Sequence, residues 1–137
     1  MISVKLTTQD FWQSSAEGYI IPLKSNLEPL SPGSPLNHIE ATYYPHLKEL
    51  LKKHQFEGDK GQSFALTGKH NDTLVQFLFV GVGSMQGPWH QELETLRRAV
   101  ATGIHIMKKN YLKDAVVALP AGSLFQISDD ELAKQLT

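Results

Sequence analysis

Residues 73–82 read TLVQFLFVGV and residues 115–120 read AVVALP, two almost unbroken apolar runs separated by a long amphipathic stretch. A strand needs apolar side chains on both sides only when both faces of its sheet are covered, so these runs specify interior strands with a layer above and a layer below. Between them, Leu93, Leu96, Val100, Gly103, Ile104 and Met107 fall on one helical stripe from about Trp89 to Asn110. Glu92 and Glu94 stand early in that stretch and Lys108 and Lys109 late, which suits the helix dipole at both ends. Strand, long helix and strand make a βαβ unit, which predicts parallel pairing and a right-handed crossover. The chain is therefore an α/β protein.

The remaining segments fit around that unit. Ile2-Ser3-Val4-Lys5-Leu6 alternates with period two, as a strand with one buried face does. Tyr19-Ile20-Ile21-Pro22-Leu23 is a second short apolar run, and its proline predicts a place near a sheet edge. Residues 27–36, LEPLSPGSPL, hold three prolines, a glycine and two serines and read as a loop. After Pro45, the spacing of His46, Leu47, Leu50, Leu51 and His54 predicts a helix ending near Gly58. Gln62 to Thr67 alternates again and Gly68 to Asp72 has turn chemistry, so 62–82 reads as a hairpin whose second strand lies inside the sheet. Ser128 and Glu131 have capping-box spacing and open a helix that has made barely two turns at Thr137. The division expected is a single α/β domain over 1–127, with 128–137 the start of a helix leading onward.

Length and charge narrow the function classes. At 137 residues the chain is one domain by length. Thirteen basic and fourteen acidic side chains leave a formal charge of -1, so no global field draws in a phosphate backbone or an anionic membrane. The chain has no cysteine, which removes disulfides, thiolate nucleophiles and sulfur-ligated zinc, and fits a reducing compartment. The N-terminus lacks the basic flank and long apolar stretch of a signal peptide, and no run is long enough to span a bilayer. A cytoplasmic location is expected.

No segment carries a recognisable catalytic motif. Gly81-Val82-Gly83-Ser84-Met85-Gln86-Gly87 lies between a strand and a helix, where backbone amides can cradle a phosphate. The dinucleotide fingerprint needs glycine where Gln86 stands, so tight turning from strand to helix is the simpler account. The six histidines, His38, His46, His54, His70, His90 and His105, form no metal-ligand motif; His46 and His54 would lie about 12 Å apart along a helix and cannot hold one ion between them. Ser84 comes nearest to a nucleophile elbow, but Val82 and Gln86 occupy its glycine positions. Arg97-Arg98 and Lys108-Lys109 read as the wet side of the long helix rather than as a nucleic-acid face. No catalytic, cofactor-binding or metal-binding residue is assigned.

The order GKHNDTLVQFLFVGVG, HQELETLRRAVATGIHIMKKN, DAVVALP and DDELAKQLT resembles the N-terminal domain of the leucyl (cytosol) aminopeptidases. The likeness rests on the strand ending Val80-Gly81-Val82-Gly83, the helix carrying Leu96-Arg97-Arg98-Ala99 and the strand ending Leu119-Pro120, and covers about Phe56 to Thr137. It implies a three-layer, macro-domain-like mixed sheet with a central βαβ unit and helices on both faces. It also implies a larger catalytic domain that binds two divalent metal ions, zinc or manganese, and removes N-terminal amino acids from peptides. There the metals would activate a bridging water and stabilise the oxyanion at the peptide carbonyl. None of that family's catalytic segments occurs here, as in a noncatalytic domain whose partner is its own catalytic half. The family's N-terminal domain is associated with assembly of a homohexamer and, in some bacterial members, with DNA binding, which the near-neutral charge does not favour. Two rival expectations remain: a free-standing macro-like module taking a nucleotide or ADP-ribose on the Gly81 to Gly87 loop, and a DNA-binding accessory domain.

Overall fold

The structure, a computed structural model, describes residues 2–7, 15–28, 30, 35–70, 73–120, 125 and 127–136. Five strands form one mixed sheet: β1 (Ser3–Thr7), β2 (Gly18–Lys24), β3 (Ser63–His70), β4 (Thr73–Gly83) and β5 (Asp114–Ala118). Their spatial order is β1-β5-β2-β4-β3, with β3 antiparallel to β4 and every other pairing parallel. Four helices are described: α1 (Pro35–Thr42), α2 (Leu47–Lys53), α3 (Trp89–Lys109) and α4 (Asp129–Gln135).

The layers follow from strand alternation. On β4, Val75, Phe77 and Phe79 face one cluster with Leu36 and Ile39 of α1 and Leu47 and Leu51 of α2. Leu78, Val80 and Val82 face the other, with Leu93, Leu96, Val100 and Met107 of α3 and Leu132 of α4. Consecutive side chains of a strand thus feed two separate cores, which is why 73–82 is apolar without a gap. The result is a three-layer α/β/α arrangement. No helix among the described residues is long and apolar enough to cross a membrane.

Several expectations need correction. β4 and β5 run in the same direction, but they do not pair: β2 lies between them and bonds to both, so the α3 crossover skips one strand. β2 is central rather than near an edge. Its ladder to β5 covers only Gly18 to Ile20, so by Pro22 the strand is bonded on the β4 side alone, a local edge that tolerates a residue without an N–H.

Helix α2 begins at Leu47, not at Pro45, because His46 takes a left-handed conformation (φ 64°) just before it, and it stops at Lys53, with Gln55 also left-handed (φ 63°). The segment 27–36 is not loop to its end, for α1 starts at Pro35, and Ser25–Leu27 forms a short 3-10 turn before it. The pairing of β3 with β4 reaches into the expected turn: Gly68, Lys69 and His70 belong to β3, paired with Val75, Leu74 and Thr73, while Asn71 and Asp72 lie outside the described residues.

The C-terminal capping box forms as the sequence implied, Ser128 Oγ accepting the Glu131 N–H at 3.1 Å. Arg97 of α3 then ties α4 down, its Nε donating to the Gln135 carbonyl at 2.9 Å and its Nη2 to Gln135 Oε1 at 3.0 Å.

Candidate functional site

The end of β4 is where the sequence placed its only phosphate-loop candidate, and there the backbone is already engaged. The Gly81 N–H donates to the Gln62 carbonyl and the Gly83 N–H to the Gly58 carbonyl, each at 2.9 Å. A Cβ at Gly81 would lie 2.0 Å from the Asp59 carbonyl oxygen, so only glycine lets the two backbones approach this closely. These two amides hold the segment 57–62 against the strand and do not point at open solvent for a ligand.

Gln62, which the sequence did not single out, organises that segment. Its Oε1 accepts the N–H groups of Glu57 (2.9 Å) and Asp59 (3.1 Å), and its Nε2 donates to the Gln55 carbonyl (3.0 Å). The turn so fixed forms one wall of a groove of about 300 Å³, whose lining includes Lys60, Gln62, Val80, Thr95, Arg98 and Thr102. Its other wall is the outer flank of α3. The groove is more enclosed than the concavity of about 500 Å³ lined by Ile2, Lys108, Tyr111, Leu112 and Lys113.

The described histidine side chains stay apart, that of His70 lying outside them. His46, His54, His90 and His105 are exposed and His38 is half-buried. His38 stands edge-on to Tyr43 (5.8 Å between centroids), His54 lies against Phe64 (5.2 Å) and His90 against Trp89 (5.7 Å). His46 Nδ1 lies 3.8 Å from Glu49 Oε1. Among the described residues no three His, Cys, Asp or Glu side chains converge to hold a metal ion, so they do not fit a two-metal centre. Ser84 is an exposed turn residue just after β4. Arg97 and Arg98 both engage Glu94, while Lys108 and Lys109 are exposed at the end of α3.

Two tyrosines of the α1/α2 core are perturbed. Burial pushes the Tyr19 hydroxyl above its ordinary value of 10.0, helped by Tyr43 and Asp114 and opposed by a hydrogen bond with the Ala16 backbone. Tyr43 is raised by burial as well. Tyr19 stacks on Phe77 at 5.7 Å and is fully buried, so it belongs to the core rather than to a site.

Comparison with known proteins gives this geometry its context. Among solved structures, a mutant of tomato leucine aminopeptidase is similar to this chain at 18% identity with a TM-score of 0.61, over 99% of this chain and 27% of that one. The chain therefore spans about a quarter of that structure's length, and at this identity the likeness carries the fold alone. No curated protein matches the chain. Residues 22–137 match the family model described as the cytosol aminopeptidase family, N-terminal domain, a match that begins well before Phe56, where the motif likeness started. Because that match covers most of the sequence, the chain belongs to the cytosol aminopeptidase family, as its N-terminal domain.

Proposed function

We propose that this chain is the noncatalytic N-terminal domain of a cytosolic leucyl-type aminopeptidase, an enzyme that removes N-terminal amino acids from peptides with two divalent metal ions, and that the domain serves homohexamer assembly. The observation that carries the reading is the family match over residues 22–137, joined to the fact that the chain corresponds to only 27% of the tomato enzyme. The division at 1–127 and 128–137 is part of this reading: α4 packs on the domain through Leu132 and through Arg97 and Gln135, which would give a following domain a fixed point of departure. The rival nucleotide module draws no support from the Gly81 and Gly83 amides, which are bonded to the chain itself.

Sedimentation of the polypeptide read through its native frame tests the assembly role. A hexamer with residues 1–127 present and smaller species without them is the expected outcome. Hexamers of equal stability in both would remove that role.

A further inference from the structure

The groove beside α3 has a composition that the family assignment does not explain. Helix α3 buries Leu93, Leu96, Val100 and Met107 against β2, β4 and β5 but does not reach over the edge strand β3. Ser63, Ala65 and Thr67 pair with Val80, Leu78 and Gln76 on the α3 side of the sheet and remain exposed. Cross-strand partners share a face, so the sheet presents an open shelf there. At its upper end the Lys60–Gln62 turn closes the shelf into the groove.

The charges around this groove do not balance. Among the described residues no carboxylate lines it, whereas Lys60 and Arg98 both do. Glu94, the nearest carboxylate on α3, is shared between Arg97 and Arg98, one negative charge against two positive ones. Asp59, next to Lys60 in sequence, accepts from Ser25 Oγ at 3.1 Å. Lys60 makes no ion pair among the described residues, and its stem lies against Gly83, where a Cβ would come 3.1 Å from its Cγ. Two cations with one partly shared counter-ion, beside the apolar surface of Val80 and Ala99, form a place where an anion gains charge-assisted hydrogen bonds on a partly desolvated floor.

We propose that this groove binds a small organic oxyanion, a carboxylate or a phosphate monoester on a compact apolar body. The anionic group sits between the Lys60 ammonium and the Arg98 guanidinium, Thr102 supplies a hydroxyl, and the body lies on Val80 and Ala99. Thr95 contributes little as a donor, because its hydroxyl is bonded to the Gln91 carbonyl at 3.1 Å. About 300 Å³ is at the lower limit of small-molecule pockets and suits a single ring rather than a dinucleotide. The proposal does not depend on the catalytic or assembly role of the family.

Amide-resolved NMR titration of the chain with phenyl phosphate, benzoate and uncharged benzyl alcohol tests it. The expected result is saturable shifts at Lys60, Gly61, Gln62, Gly81 and Arg98 with a Kd at or below about 1 mM for at least one of the two anions, and none for the alcohol. Preference for phenyl phosphate would identify the source as a phosphate monoester, and preference for benzoate as a carboxylate. Lys60→Ala and Arg98→Ala should each weaken binding about tenfold, while Lys108→Ala, at the far end of α3, should not. Both groove residues are exposed, so the variants should fold, and unchanged amide spectra elsewhere verify this. Absence of saturable shifts with either anion, or binding indifferent to both variants, would overturn the proposal.

Discussion

The Asp114 carboxylate accepts the Glu17 N–H at 2.7 Å, and the Glu17 carboxylate in turn accepts the N–H of Lys113, the residue before Asp114. The Glu17 carbonyl also accepts the Gln76 N–H at 2.9 Å, so this reciprocal pair ties the entrances of β2 and β5 to each other and to Gln76 within β4. The three strands meet here without a connecting turn, and side-chain bonds to backbone donors replace it. Asp114→Ala should cost about 1–2 kcal/mol, since hydrogen bonds to charged groups contribute about that much and the site is only partly buried. Thermal unfolding should fall by roughly 3–8 °C. Glu17→Ala combined with it should cost less than the sum of the single changes; strict additivity would show that the two bonds act independently.

The packing of α3 on the sheet gives a second expectation. Val100 is buried among Leu96, Leu78 and Val117 in the cluster on that side. Val100→Asp would leave an unpaired charge there and should cost several kcal/mol, enough to unfold a domain of ordinary stability, about 5–15 kcal/mol. Circular dichroism of the variant should show lost cooperativity; an unchanged melting curve would mean that α3 packs by another face.

Glycines near the groove should differ sharply in their tolerance of a methyl group. Gly81→Ala would drive a Cβ into the Asp59 carbonyl and should destabilise by about 2 kcal/mol or more. Gly61 has φ +84°, but nothing lies within 4 Å of where its methyl would stand, so Gly61→Ala should cost only the left-handed backbone penalty, about 1 kcal/mol. Denaturant titration of both variants checks the order, and equal costs would show that the contact between 57–62 and β4 can yield.

Those contacts also mark where the sequence was legible and where it was not. The interior strands and α3 were readable because each announces itself in contiguous residues: an unbroken apolar run for a doubly covered strand, a stripe and end charges for the helix. Helix α1 was hidden by the prolines and serines before it, although Pro35 at a first helical position and Leu36, Ile39 and Tyr43 three and four apart carried a signal. The central position of β2 was hidden by Pro22, which looks like an edge residue until the short reach of the β5 ladder is known. The groove was not legible at all. Its walls come from 60–62, 80–81 and 95–102, and no local pattern says that these meet.

Ionisation of the buried Tyr19 and the half-buried Tyr43 should set an alkaline limit. Tyr19 and Tyr43 are raised in the folded protein relative to 10.0 in the unfolded chain, so the folded state holds their protons more tightly. The corresponding stability is fully present below pH 10 and is lost as pH rises through the higher folded values. Between pH 10 and those higher values stability should fall by up to about 1.4 kcal/mol per pH unit for each group ionising only on unfolding. Tyr19→Phe should flatten the decline and Tyr19→Phe with Tyr43→Phe should flatten it further. A decline of the same slope in the double variant would assign the alkaline limit to other groups.

Aminopeptidase activity measured side by side in two polypeptides tests the central claim most directly. The 137-residue chain, incubated with Zn²⁺, Mn²⁺ or Mg²⁺ and a leucine-linked chromogenic substrate, should release no product above a metal-only blank. The same polypeptide read onward through its native frame should gain activity that chelators abolish, because two-metal hydrolysis needs ligands holding ions about 3.5–4 Å apart. Chelator-sensitive turnover by the 137-residue chain itself would contradict the account, and so would an extended frame that carries no metal ligands.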